Sequence, residues 1–136
     1  MIGVAWAVRL AEAGVVWRPA PGDRFTLREG ELHGEVFTVA DMVVEARDYP
    51  TGVELAFNGT TEWALDSVRL ADALWLPRED QLRGLLGGAF RRLAPVGGAF
   101  EVVIAIPGRL DVSYRADQVA DAYAMAVVGL VEASRD

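Results

Sequence analysis

Cysteine and lysine are both missing from this sequence, and histidine occurs once, at position 33. Without cysteine there is no disulfide, no thiolate metal site and no cysteine nucleophile, which fits a reducing compartment and leaves the fold to rest on packing. Without lysine, all 13 basic side chains are arginine. A Schiff-base lysine, a pyridoxal-phosphate lysine and the phosphate-reading lysine of a P-loop are thereby excluded together. A Ser-His-Asp triad would have to join His33 to Ser67, Ser113 or Ser134, and none of these serines lies in a Gly-x-Ser-x-Gly elbow. A long apolar run is also lacking: Val119 to Val131 contains Asp121 and is too short for the roughly 30 Å of a bilayer's hydrocarbon core. The opening residues Met1–Trp6 carry no basic region, and Arg9 and Glu12 interrupt the apolar positions that follow. No secretion signal is legible there, and the sequence reads as that of a cytoplasmic protein.

What is present is a chain of 136 residues, long enough for one core that buries roughly two-thirds of the unfolded surface. Twenty acidic side chains give a net charge of −7, which disfavours generic attraction to DNA or RNA phosphates. Arg83, Arg91 and Arg92 form the one basic cluster in the linear sequence.

The pattern of apolar residues implies an α+β protein. Ile2, Trp6, Leu10 and Ala13 recur at helical spacing, and Gly14 suits a C-terminal stop. The two prolines and Gly22-Asp23 of Trp17–Phe25 turn the chain toward an extended segment. Residues 35–39, 43–49 and 53–58 have strand composition, and Tyr49-Pro50-Thr51-Gly52 suits a hairpin turn between the second and third of them. Pro77 is placed to open a helix with Leu82, Leu85, Leu86 and Phe90 as its buried stripe and with Gly87-Gly88 weakening its end. Val102, Ile104 and Ile106, then Leu110, Val112 and Tyr114, alternate about Pro107-Gly108 as a β-hairpin. Asp117 is positioned to cap a last helix with Ala120, Tyr123, Val127, Leu130 and Val131 inward. The expected architecture is an antiparallel sheet meander with an N-terminal helix and a C-terminal α-β-β-α unit, the helices mainly on one face. It is read as a single domain over residues 1–136, with a conceivable subdivision near residue 70. The outline of the C-terminal unit resembles a double-stranded-RNA-binding domain, but Asp117, Asp121 and Glu132 would repel the phosphates its last helix must meet.

Candidate chemistry is sparse. His33 sits in the polar stretch Glu29–Gly34, where a solvated loop position is its default role. Asp41, Glu45, Asp48, Glu54, Glu62 and Asp66 match no metal-ligand spacing and suit a solvated strand face. Two segments stand out. Asn58, Thr60, Thr61, Glu62 and Trp63 gather short hydrogen-bonding side chains beside an aromatic ring, and Trp75 and Gln81 flank a helix start where free backbone N–H groups favour anions. These seven form the candidate ligand-binding set. Turn, cap and core roles are the competing explanation for each of them. Neither a cofactor site nor a metal site is indicated.

Three stretches, Trp17-Arg18-Pro19 with Pro21-Gly22-Asp23-Arg24, then Phe57–Ser67, then Leu74–Leu82, resemble a family of small actinobacterial proteins often labelled pilus assembly protein CpaE. The last two carry most of the resemblance. The MinD-like ATPase of that name has a Gly-rich P-loop and a P-loop lysine, and this sequence has neither. The resemblance therefore implies a small bacterial protein without ATPase activity. The Trp-Leu-Pro-x-x-x-Gln-Leu junction at 75–82 is also similar, more weakly, to small phage-encoded proteins. Together these readings favour a non-catalytic interaction or adaptor protein with Trp17, Trp63 and Trp75 as surface aromatics. A protein partner or a homodimer through the apolar last helix is expected, with binding of a small, nucleotide-like signal molecule as the alternative.

Overall fold

A computed structural model describes residues 1–40, 43–49, 52–57 and 67–135. In chain order these form α1 (Val4–Glu12), β1 (Arg24–Leu27), β2 (Phe37–Thr38), β3 (Val43–Tyr49), β4 (Gly52–Phe57), β5 (Ser67–Arg69) and β6 (Ala73–Trp75). They continue with α2 (Glu79–Leu86), β7 (Phe90–Val96), β8 (Ala99–Ile104), β9 (Val112–Ala116) and α3 (Val119–Ser134). The described strands make three three-stranded antiparallel sheets, in the orders β2-β1-β6, β3-β4-β5 and β7-β8-β9. The α+β class implied by the sequence holds, and two of the three sheets are meanders. No described helix is long and apolar enough to cross a membrane. The chain divides into two compact units, one of Met1–Val16 with Leu76–Asp136 and one of Trp17–Trp75.

In the first unit, α3 is the element everything else rests on. It packs on β8 and β9, and α1 and α2 both pack against it. Ala120, Ala122, Tyr123, Ala124, Ala126, Val127 and Val128 are all buried, so the helix is enclosed on several sides rather than along one stripe. Its apolar surface is thus largely accounted for inside the unit. Small residues let neighbours approach closely: a Cβ at Gly129 would overlap the Tyr114 hydroxyl.

Helices α1 and α3 run in the same direction, fastened at both ends. The Gly3 amide, at the N-cap of α1, donates to Asp121 Oδ1 at 2.7 Å, and the Arg135 guanidinium donates to the Ala13 carbonyl. Asp121 thereby accepts one of the orphan amides at the start of α1 while standing in the first turn of α3, near two positive helix ends. Asp117 does not cap α3; Gln118 is its N-cap and has no side-chain bond there. On α1 the buried positions are Ala7 and Leu10, while Trp6 is half-buried with the Arg9 guanidinium 5.2 Å from its ring centre.

The α-β-β-α expectation gains a strand. Gly87, with φ of +53°, ends α2 just after Leu86, and Phe90, expected on the helix stripe, begins β7 instead. Its ring packs 6.0 Å from that of Tyr123. Gly97 and Gly98 both take positive φ between Val96 and its partner Ala99, the geometry of a two-residue hairpin whose twist matches its strands. Leu85 is exposed rather than inward. The β8–β9 hairpin has the expected centre, since Ile104 pairs with Val112 and Val102 with Tyr114. Its loop is longer than expected: Ile106 lies outside the ladder and Leu110 is 91% exposed.

The second unit is built on Trp17, Phe25, Val39 and Ala73, with Leu27, Phe37, Leu70 and Trp75 packed against them. Phe37, Phe25 and Trp75 stand opposite one another across β2, β1 and β6, so one face of this sheet is aromatic. Strands β3 and β4 form the expected hairpin, with Tyr49 opposite Gly52; the turn residues Pro50 and Thr51 lie outside the described residues.

Two outcomes follow from the α3 packing. Gly129→Val should lower the unfolding free energy by about 2 kcal/mol through overpacking, measured by urea denaturation, and adding Tyr114→Phe should return part of the loss. Burial, aided by Glu132 and opposed by Arg109, pushes the Tyr114 phenol above its ordinary value of 10.0. The neutral phenol is therefore favoured by folding, and this contribution is intact below about pH 10 and lost as pH rises through the folded-state value. Thermal melts of Tyr114→Phe should decline less steeply above pH 10 than those of the parent.

Candidate functional site

Of the seven candidate ligand-binding residues, Asn58, Thr60, Thr61, Glu62 and Trp63 lie outside the described residues. So do Asp41 and Asp66, while Glu45, Asp48 and Glu54 are described only as strand positions. Trp75 ends β6 in the second unit and Gln81 stands in α2 of the first. Gln81 is used structurally, because its Oε1 accepts the Arg78 amide at 2.9 Å and so closes the start of α2. Pro77 is not in the first turn; it is buried one residue before the N-cap Arg78. The Arg78 guanidinium bonds Asp80 at 3.1 Å and holds that carboxyl below its usual range.

The Trp17–Asp23 turn is organised by one carboxylate. Asp23 Oδ2 accepts the Trp17 indole N–H at 2.9 Å and the Ala20 amide at 3.0 Å, and Asp23 is itself buried. The Asp23 carbonyl accepts from Val39 N–H at 2.8 Å and the Val39 carbonyl from Gly22 N–H at 2.6 Å. Pro19 and Pro21, which have no N–H to satisfy, fit a turn whose amides are so few and so placed. Trp17 is only 8% exposed, so it is a core residue and not the surface aromatic the sequence suggested. Its ring stacks on that of Trp75 at 6.5 Å and 8°. Trp75 is half-buried, and its Nε1 is buried with no hydrogen-bond partner among the described residues.

His33 is exposed, as its loop context implied, with Nδ1 2.8 Å from the Leu27 carbonyl. The loop that carries it is tied back to β1, since Gly34 N–H donates to the buried Thr26 hydroxyl at 2.9 Å. Among the described residues, no group of three or more His, Cys, Asp or Glu is placed to hold a metal ion.

The three arginines of the linear basic cluster take different partners. Arg83 lies over the Phe90 ring, 4.2 Å from its centre, and Arg91 donates to the Gly88 carbonyl at 3.2 Å. Arg92 instead joins a row the sequence did not reveal. Glu101, on the central strand β8, receives Arg115 Nε at 2.9 Å on one side and Arg92 Nη2 at 3.5 Å on the other. By strand alternation Glu101, Val103, Arg92, Ser113 and Arg115 share the face of this sheet opposite Val102, Ile104 and Tyr114, which face α3. The Glu101 side chain is 9% exposed, whereas those of Arg92 and Arg115 are 65% and 62% exposed. The available sequence signal was an acid at an alternate position beside the apolar run Val102–Ile106. It was silent about which arginines pair with it, because that depends on the registers of β7 and β9.

No protein-family model matches this sequence, and no curated protein and no solved structure gives a match.

Replacing Asp23 with alanine removes two charge-assisted bonds and leaves the buried Trp17 N–H without that acceptor, an expected loss of about 3 kcal/mol. Asp23→Asn, which keeps an acceptor oxygen, should lose less. Urea titration followed by tryptophan fluorescence distinguishes the two.

Proposed function

We propose that this chain is a non-catalytic interaction module, an adaptor acting in the cytoplasm through a protein partner or through self-association. The observation that carries this reading is the engagement of four buried or half-buried polar side chains in structural bonds. Asp23 holds the Trp17 turn, Asp121 holds the start of α1, Gln81 closes the start of α2, and Glu101 is clasped by two arginines. A catalytic acid or base instead needs its proton-transfer atom turned toward a substrate. The exposed guanidinium groups of Arg92 and Arg115 are available to a partner surface. The resemblance to the CpaE-labelled family is compatible with this reading and supplies no site to it.

One observation favours a second reading, the binding of a small, nucleotide-like molecule. Trp75 Nε1 is a buried donor without an acceptor among the described residues, and such a group is costly unless something accepts from it. On that reading Trp75 acts with Asn58, Thr60, Thr61, Glu62 and Trp63.

Native mass spectrometry of the freshly purified protein, set against its denatured mass, separates the two. The adaptor reading expects a chain free of small molecules that forms a complex with itself or with another protein. A retained molecule of fixed mass that is lost in Trp75→Phe would replace that reading with the second.

A further inference from the structure

Strand β9 lies at the edge of its sheet, hydrogen-bonded among the described residues to β8 alone. The other edge strand, β7, exposes Arg91 and Arg92 in succession and carries Pro95, which has no N–H to offer a neighbour. Charges and proline on an edge keep other strands away. Strand β9 contains no proline, and the charges on and around it are arranged differently. The segment Arg109-Leu110-Asp111-Val112-Ser113-Tyr114-Arg115-Ala116-Asp117 places an acid and a base at equal distances on either side of Ser113 twice over, Asp111 with Arg115 and Arg109 with Asp117. All four charged residues are exposed. Val112, Tyr114 and Ala116 are half-buried at the alternate positions, and Leu110 is 91% exposed. Arg115 turns its Nε toward Glu101, but its side chain stays 62% exposed, and a guanidinium has further N–H groups to donate.

We infer that this segment is a self-association surface, on which β9 pairs antiparallel with β9 of a second copy of the chain about a two-fold axis at Ser113. This deepens the interaction-module reading and rests on it. A two-fold interface sets the same residues on both sides. In this register Arg115 stands opposite Asp111 of the second copy, and Arg109 opposite its Asp117. Leu110 stands opposite Ala116 and Val112 opposite Tyr114, so the exposed leucine gains apolar cover. Directly opposed side chains lie on one face of a sheet. The charged pairs therefore fall on the face turned away from α3, and the apolar pairs on the face that carries Tyr114 toward it. Charge selects this register over its neighbours. A slip of two residues one way sets Asp111 against Asp117, a slip the other way sets Arg109 against Arg115, and like charges directly opposite are destabilising. Two chains that each carry −7 repel one another in general. The charges of this segment, two arginines and two aspartates, cancel, so it is a place where two copies can approach.

Because the chain has no cysteine, the register can be tested by cross-linking. Ser113→Cys sets two thiols opposite each other on the axis, where facing Cα atoms are about 4.5–5.5 Å apart, within reach of a disulfide. Mild oxidation should convert this variant to a covalent dimer, whereas Ser134→Cys, at another exposed position, should stay largely monomeric. Analytical ultracentrifugation of the unaltered chain over a wide range of concentration should show a monomer–dimer equilibrium that weakens with salt. Asp111→Arg sets arginine against arginine at two symmetric places and should weaken association at least about tenfold. Arg115→Asp should do the same with acids, and an equimolar mixture of the two variants should associate again, because each then meets the opposite charge. Thermal melts and far-ultraviolet circular dichroism establish that each variant is folded, and Asp111→Arg with Ser113→Cys carries the conclusion if Arg115→Asp is not. A dimer that ignores Asp111→Arg and is not cross-linked through Ser113→Cys would overturn the β9 pairing while leaving the interaction-module reading in place. A monomer at every concentration would overturn the pairing, and the interaction-module reading would then rest on a complex with a different protein in native mass spectrometry.

Discussion

The hydrogen bond from the Gly3 amide to the Asp121 carboxylate joins residues 118 positions apart in the chain, and the first unit depends on what it holds together. Helix α1 is nine residues long, short of the length at which a helix is stable alone in water. It persists through the apolar contacts of Ala7 and Leu10 and through its polar fastenings to α3. Those contacts in turn cover one side of α3, while α2 and the β8–β9 strands cover others. An almost wholly apolar helix needs such enclosure, and the alanines at 120, 122, 124 and 126 with Gly129 allow it, because packed interiors tolerate neither voids nor overlaps. Asp121 is the one acid in the first turn of that helix, at the position where its charge serves two helix ends together.

The second unit solves a different problem with the same means. Its core is small and aromatic, and one buried carboxylate, Asp23, fixes the turn that delivers Trp17 into it. Burial of a charge is costly unless it is bonded, and here the bonds come from the indole and from the turn's own backbone. The stacked Trp17 and Trp75 rings join residues from the two ends of the unit, so its closure depends on that turn. The Trp-x-Pro-x-Pro-Gly-Asp sequence is therefore understandable as structure: tryptophan supplies bulk and a donor, the prolines remove amides, and the aspartate carboxylate accepts the indole N–H and the Ala20 amide.

Much of the fold was legible because it is local. The helix stop at Gly14, the β3–β4 hairpin over 43–57, the Pro107-Gly108 hairpin centre and the last helix all follow from periodicity and turn chemistry. Strand β7 was missed because Arg91 and Arg92 interrupt its apolar alternation, and Phe90 happens to stand at helical spacing from Leu82 and Leu86. The Gly97-Gly98 pair was the counter-signal, since two glycines between extended runs mark a tight hairpin. Trp17 looked like a surface residue because its partners, Asp23 and Trp75, are a cap across a turn and a strand 58 positions on, and neither is a periodic neighbour. Gln81 was read as a ligand contact or a helix start, and its bond to the Arg78 amide supports the structural half of that choice. Five of the candidate site residues fall outside what the structure describes, so the segment from Asn58 to Trp63 remains an argument from composition.

The Arg92–Glu101–Arg115 row is the place where stability and function part company. A valine at 101 would continue the apolar run of β8, and ion pairs whose arginines are 65% and 62% exposed contribute at most about 1 kcal/mol each. The row is therefore poorly explained as a device for folding. It is better explained as a way to hold two arginines in fixed positions on a sheet face, beside an edge strand that lacks a neighbour on one side among the described residues. A lone arginine on such an edge guards it against indiscriminate pairing.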